Sequence, residues 1–127
     1  MTKEDQDLTL YQGAAKVVTI PIVDADGQPV NMTGGIIYYG VFTSKAAAGT
    51  GVALIAKNRD AGGVGEIALV NSAGTADAMR ITIDESDTNG LLPGRYYHEA
   101  RLTLDGKPAV VFEGRLRLKR SITATSS

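Results

Sequence analysis

Apolar residues in this chain alternate with a period of two over most of its length, and helical spacing is nearly absent. A chain patterned in this way must bury one face of each of several strands, so its core is built from sheets rather than helices. Val18, Ile20 and Ile22 share one face of a first strand, with Val17, Thr19 and Pro21 on the other. Pro21 donates no ladder hydrogen bond, which predicts that this strand lies at a sheet edge or ends there. A β-rich run over 36–43 contains Ile37, Tyr38, Tyr39, Val41 and Phe42. Shorter strands are predicted over 52–56, 66–70 and 78–84, the last with Met79, Ile81 and Ile83 opposite Arg80, Thr82 and Asp84. Between them lie turn signals: Asp24-Ala25-Asp26-Gly27, the glycine-rich stretch 58–65, and a small-residue loop over 44–51 whose three alanines can start one helical turn but not propagate it. The polar stretch 84–89 suits a single helical or 3₁₀ turn, for which Ser86 is the expected cap.

The last hairpin is the most explicit. Tyr96, His98, Ala100 and Leu102 share a face on its first arm, and Val110, Phe112, Gly114, Leu116 and Leu118 share one on its second. Facing strands pair residues of the same face, so even numbers meet even numbers only across a loop with an odd residue count. That parity predicts a three-residue-type connection with Gly106 in a left-handed bulge, rather than a two-residue Asp105-Gly106 turn. Seven or eight short strands with glycine-rich turns make a β-sandwich or small barrel, in one all-β domain.

The chemical inventory is short. At 127 residues with 43% hydrophobic content, one domain can bury roughly two thirds of its surface and needs no metal or disulfide to hold it. Cysteine is absent, which excludes disulfides, thiolate metal sites and cysteine nucleophiles; tryptophan is also absent and there is a single histidine. A net charge of −1 argues against broad electrostatic attraction to nucleic acid or anionic lipid. The opening MTKEDQ leads into no apolar stretch, so no signal peptide is expected, and no run approaches the roughly 18 apolar residues of a membrane span.

Each candidate for chemistry meets a plainer reading. His98 as a general base needs an orienting carboxylate and a nucleophile; Glu99 points to the other face, so His98 is read as a half-buried strand residue with its polar end satisfied. Asp24, Asp26 and Asn31 begin like a calcium loop, but the alternation of oxygen ligands stops at Gly27, and a turn is the expectation. Asp84, Glu85 and Asp87 are read as a solvated edge. The glycine-rich stretches lack the Lys-Ser/Thr pair of a phosphate loop and are read as turns or partner-contacting loops. No catalytic residue, metal ligand or cofactor-binding residue is therefore assigned, and no cofactor is expected. Cationic charge does gather on the last hairpin. With too few exposed aromatics for nucleic acid, Arg95, Tyr97, Arg101, Arg115 and Arg117 are the candidate protein-interface residues.

Four segments in order carry a resemblance: Leu8-Thr9-Leu10-Tyr11-Gln12-Gly13; residues 24–34 (DADGQPVNMTG); residues 92–99 (LPGRYYHE); and Asp105-Gly106 followed by Phe112-Glu113-Gly114. Spanning about residues 8–120, they resemble the small immunoglobulin-like virion proteins of tailed bacteriophages, similar to the N-terminal domain of phage baseplate upper proteins. Asn31-Met32 stands where that pattern more often has Asp-Leu, and His98 stands near its second aromatic. The resemblance implies an immunoglobulin-like β-sandwich of about seven to eight antiparallel strands over 8–120, with a flexible arm at 1–7 and a loose tail at 121–127. It implies a non-enzymatic structural component of the virion, assembled in the host cytoplasm. Such a protein docks onto tail, baseplate or major capsid subunits in a symmetric multi-copy assembly, without nucleic acid or membrane. An adaptor in the tail or baseplate is the leading expectation. Capsid decoration and a generic β-sandwich binding module are the alternatives.

Overall fold

A computed structural model describes residues 6–49, 52–72 and 74–120. Eight strands and two one-turn helices follow in the order β1 (Leu8–Tyr11), β2 (Lys16–Pro21), β3 (Ile36–Phe42), α1 (Lys45–Ala48), β4 (Ile55–Arg59), β5 (Ile67–Asn71), β6 (Ala76–Ile83), α2 (Glu85–Asn89), β7 (Gly94–Leu104) and β8 (Lys107–Lys119). The strands form a five-stranded sheet in the order β1-β8-β7-β3-β4 and a three-stranded sheet in the order β2-β6-β5. Reading β2 through β8 as strands B, C, C′, D, E, F and G gives the BED and GFCC′ layers of an immunoglobulin-like sandwich. Pro21 ends β2, an outer strand of the smaller sheet, where its missing N–H costs no ladder bond.

The alternation becomes the core. From the smaller sheet Ile20, Met79, Ile81 and Ile83 point inward; from the larger sheet Ile37, Tyr39, Val41, Ala100, Leu102, Phe112, Leu116 and Leu118 meet them, with Leu10 of β1 alongside. In many immunoglobulin domains an inter-sheet disulfide and a tryptophan on strand C occupy the centre, and a tyrosine two residues before the second cysteine ties the start of strand F to the preceding corner. Here Tyr96 supplies that corner, its hydroxyl donating to the Leu92 carbonyl. Two residues on, the cysteine position is His98, and Tyr39 of β3 packs edge-on against it at 5.6 Å between ring centroids. The ring pair, closed by a hydrogen bond, ties neighbouring strands of the larger sheet together rather than bridging the two sheets as the disulfide does.

That pair defines its own protonation. The Gln6 carbonyl can only accept, so His98 Nε2 carries the proton and Nδ1 accepts from the Tyr39 hydroxyl at 2.9 Å. Burial raises the pKa of Tyr39, which keeps its proton. Burial also lowers the pKa of His98 from its ordinary 6.5, against the opposing pull of the Gln6 carbonyl and the Asp7 carboxylate. Below pH 6.5 the unfolded chain therefore binds a proton that the folded one refuses. This contribution to stability is complete above pH 6.5 and is lost as the pH falls toward the folded value. Because His98 is the only histidine, its ring signals report it alone. NMR titration is expected to give a midpoint below 6.5; a midpoint at or above 6.5 would refute this buried neutral assignment.

Four expectations need correction. The strands are not all antiparallel: β1 runs parallel to β8, Leu8 opposite Leu116 and Tyr11 opposite Lys119. The 104–107 turn is the two-residue type, with Asp105 at φ 52° and Gly106 at φ 76°, and Leu104 opposite Lys107. Both central residues then sit at positive φ, and the twist of such a turn matches that of its strands. The parity mismatch is taken up farther along, by a bulge where Arg101 faces Val110 but Ala100 faces Phe112. Val111 is consequently buried in the core, and Val110, expected on the inward face with Phe112, instead pairs with Arg101 on the other. Finally, α2 is capped by Asp84 rather than Ser86, in a reciprocal box with Asp87. Residues 1–5 and 121–127 lie outside the described residues, so the arm and tail are addressed only at Gln6 and Asp7. Gln6 donates its N–H to the Glu113 carbonyl, and Asp7 Oδ1 accepts the Arg115 N–H.

Candidate protein-interaction face

The outer face of the larger sheet carries every candidate interface residue. The odd-numbered residues of β7 share this face with Glu113, Arg115 and Arg117 of β8, beyond the bulge, Arg95 opposite Arg117 and Tyr97 opposite Arg115. The parallel partner β1 adds Thr9 beside Arg117. Ser44, at the N-cap of α1, uses its hydroxyl to accept the Ala47 N–H, which turns the chain at the border of this face. These elements enclose a groove of about 520 Å³ whose lining includes Arg95, Tyr97, Arg115, Arg117, Thr43 and Asp7. Four of the five sequence-derived candidates thus converge on one concave surface.

Arg101 does not join them. Its Nε donates to Glu99 Oε2 at 2.6 Å, and Glu99 is buried. Glu99 Oε1 and Glu113 Oε1 each lie 2.8 Å from the Tyr97 hydroxyl, so one phenolic proton serves two carboxylates. Burial first, then these two carboxylates, raise the Tyr97 pKa. Conversely, the Tyr97 hydroxyl and then Lys45, whose Nζ stands 3.3 Å from Glu113, hold the Glu113 carboxyl below its usual range. Lys45 went unnoticed in the sequence because it lies on α1, far along the chain from the hairpin it touches.

The face therefore divides in two. Toward Glu99, Arg101, Glu113 and Lys45, opposite charges are used up among themselves. Toward Arg95, Arg115 and Arg117 they are not: among the described residues, none of these three exposed guanidinium groups has an ion-pair partner. Arg95 and Arg117 also stand directly across from each other, a like-charge arrangement that disfavours the isolated sheet. Three arginines beside a tyrosine on rigid strands form a surface suited to a negatively charged partner.

The other candidates are structural. Asp24 Oδ1 accepts the N–H groups of Asp26 and Gln28, which closes a turn around Gly27 at φ 78°. Asp60 Oδ1 does the same for Gly62 and Val64, around Gly63 at φ 87°. Asp84 and Asp87 are not simply a solvated edge. Both face the buried Lys57 of β4, whose Nζ is 2.8 Å from Asp87 and 3.9 Å from Asp84. Lys57 gave no signal in the sequence, since a lysine in a short strand normally points to water. Among the described residues no cluster of three or more His, Cys, Asp or Glu could hold a metal ion. No protein-family model matches the chain, and no curated protein is found to be similar in sequence.

Proposed function

We propose that this protein is a non-enzymatic docking module that joins neighbouring subunits of a bacteriophage particle, in the tail or baseplate, through the arginine-lined groove of its larger sheet. The observation that carries this reading is the groove: Arg95, Arg115 and Arg117 side by side on one concave surface, without an ion-pair partner among the described residues. Like charges held together on a rigid sheet are a cost to the free protein that a partner's carboxylates offset on binding. The resemblance of residues 8–120 to immunoglobulin-like phage proteins supplies the particle. Repetition in a symmetric assembly supplies avidity to a contact that is weak alone.

Capsid decoration by the same face is the second reading, and copy number separates the two. Quantitative mass spectrometry of purified particles of the phage that encodes the chain is expected to find a few to a few dozen copies per particle. A simple ratio to the major capsid protein would move the protein to the shell. Its absence from particles would overturn the proposal.

A further inference from the structure

The strand register sorts the surface charge by end. Arg95, Arg115 and Arg117 lie where β7 begins and β8 finishes, Gly94 opposite Leu118. At the other end of the same strands sits the Asp105 turn, beyond Leu104 and Lys107. The Asp60 turn follows Arg59, which faces Ile37, and Ile37 faces Leu102, so this turn belongs to that end too. The Asp24–Asp26 turn follows β2, whose last residue, Pro21, pairs with Ala78 near the start of β6. Met32 donates its N–H to the Ala76 carbonyl, and a side chain at Gly35 would meet Leu102 and Leu104, which fixes the start of β6 beside the end of β7. Asp24, Asp26, Asp60 and Asp105 are all exposed. The turns that Asp24 and Asp60 close through backbone bonds present the four carboxylates at one tip of the sandwich, where the cations are Lys107 and Arg59, whose guanidinium donates to the Gly63 carbonyl. At the opposite end, Asp84 and Asp87 face Lys57, and although Asp7 also lines the groove, its Oδ1 accepts the Arg115 backbone N–H and none of the three arginines is in an ion pair among the described residues.

We infer that the groove's partner is the acidic tip of a second copy of this chain, so that copies associate head to tail. This rests on the reading of the groove as a docking face, and it names the occupant by charge complementarity between two surfaces of one molecule. A head-to-tail contact is heterologous: each copy offers one groove and one tip, and a series of copies closes into a ring or continues as a file.

Analytical ultracentrifugation of the full chain tests it. Mass is expected to rise with concentration between about 10 μM and about 1 mM, the range of weak single contacts. It is expected to fall back toward the monomer between about 0.05 and about 0.5 M salt, as screening shortens to a few ångströms. A groove variant, Arg95→Gln/Arg117→Gln, and a tip variant, Asp24→Asn/Asp26→Asn/Asp105→Asn, are each expected to stay monomeric. Asparagine keeps the turn-closing acceptor at Asp24 and tolerates the positive φ at Asp105, so the tip variant retains its fold. Mixed together, the two variants have one intact groove and one intact tip between them and are expected to form a dimer that grows no further. A wild-type chain that stays monomeric throughout, or association untouched by both variants, would overturn the inference. If the monomeric wild type still enters particles and the groove variant does not, docking through the groove stands and its occupant is a different protein.

Discussion

Replacing Phe112 by alanine is expected to lower the stability of the fold by about 3–5 kcal/mol, the range for removing a fully buried aromatic ring. Phe112, on β8 of the five-stranded sheet, is 0% exposed. Its ring lies 6.0 Å from that of Tyr39 and 5.6 Å, edge-on, from that of His98. The three rings, from β3, β7 and β8 of one sheet, pack against one another around the position that a cysteine holds in many sandwiches of this topology. Alanine at 112 leaves a cavity beside a hydrogen-bonded Tyr39–His98 pair that cannot collapse into it without giving up its partners. Chemical denaturation at pH 7 measures the effect as a shift in midpoint at unchanged slope. A cost below about 1 kcal/mol would mean that the ring is not packed as described.

The second large effect is electrostatic and lies between the sheets and α2. Lys57 is the buried cation among the described residues, its side chain 6% exposed, and Asp87 holds it at 2.8 Å. The same Asp87 oxygen accepts the Asp84 N–H and completes the cap of α2. Asp87→Ala strips both functions and leaves the buried ammonium only the distant, largely exposed carboxylate of Asp84, 3.9 Å away. Breaking a buried pair from one side costs about 3–5 kcal/mol, and because Asp87 is 21% exposed the lower end, about 3 kcal/mol, is expected. Lys57→Met removes the charge and keeps the stem, so it is expected to stay within about 1 kcal/mol of the wild type. Equal losses in the two variants would show that the unpaired charge is not what Asp87→Ala exposes.

Strand faces were readable wherever alternation was strict. Val18 and Ile20 on β2, Met79, Ile81 and Ile83 on β6, and the even-numbered residues of β7 all point where their period places them. Period two is a local property, fixed by the pleat, and needs no knowledge of the partner strand. Pairing is not local. The parallel attachment of β1 depends on a close approach at Gly114, where a side chain would meet the Gln6 backbone at 2.5 Å; in the sequence that glycine looks like any other in the hairpin. The bulge at Val110–Val111 escaped for a related reason. Parity showed that one extra residue had to enter the hairpin, and the turn was the assumed place, whereas strand twist favours a tight turn and puts the extra residue inside β8.

The candidate face was legible as composition and only partly as arrangement. Alternation placed Arg95, Tyr97, Arg115 and Arg117 on one side of one hairpin, and they do line one groove. Arg101 has the same parity and the same residue type, yet the neighbouring Glu99 takes its charge. The acid that decides this is itself buried, under a tyrosine that bridges it to Glu113, and such a network forms only once the strands are side by side. The opposition between basic groove and acidic tip was hidden for the same cause. Asp24, Asp60 and Asp105 are separated by more than thirty residues each and meet only through the register of both sheets.

Docking through the groove is tested most directly by following the Arg95→Gln/Arg117→Gln variant into particles. Wild-type chain and variant would be supplied separately to a phage lacking the gene, and particle-bound chain measured after purification. The groove variant, with the melting temperature of the wild type, is expected to remain in the unassembled fraction. A variant that enters particles as completely as the wild type would contradict docking through the groove.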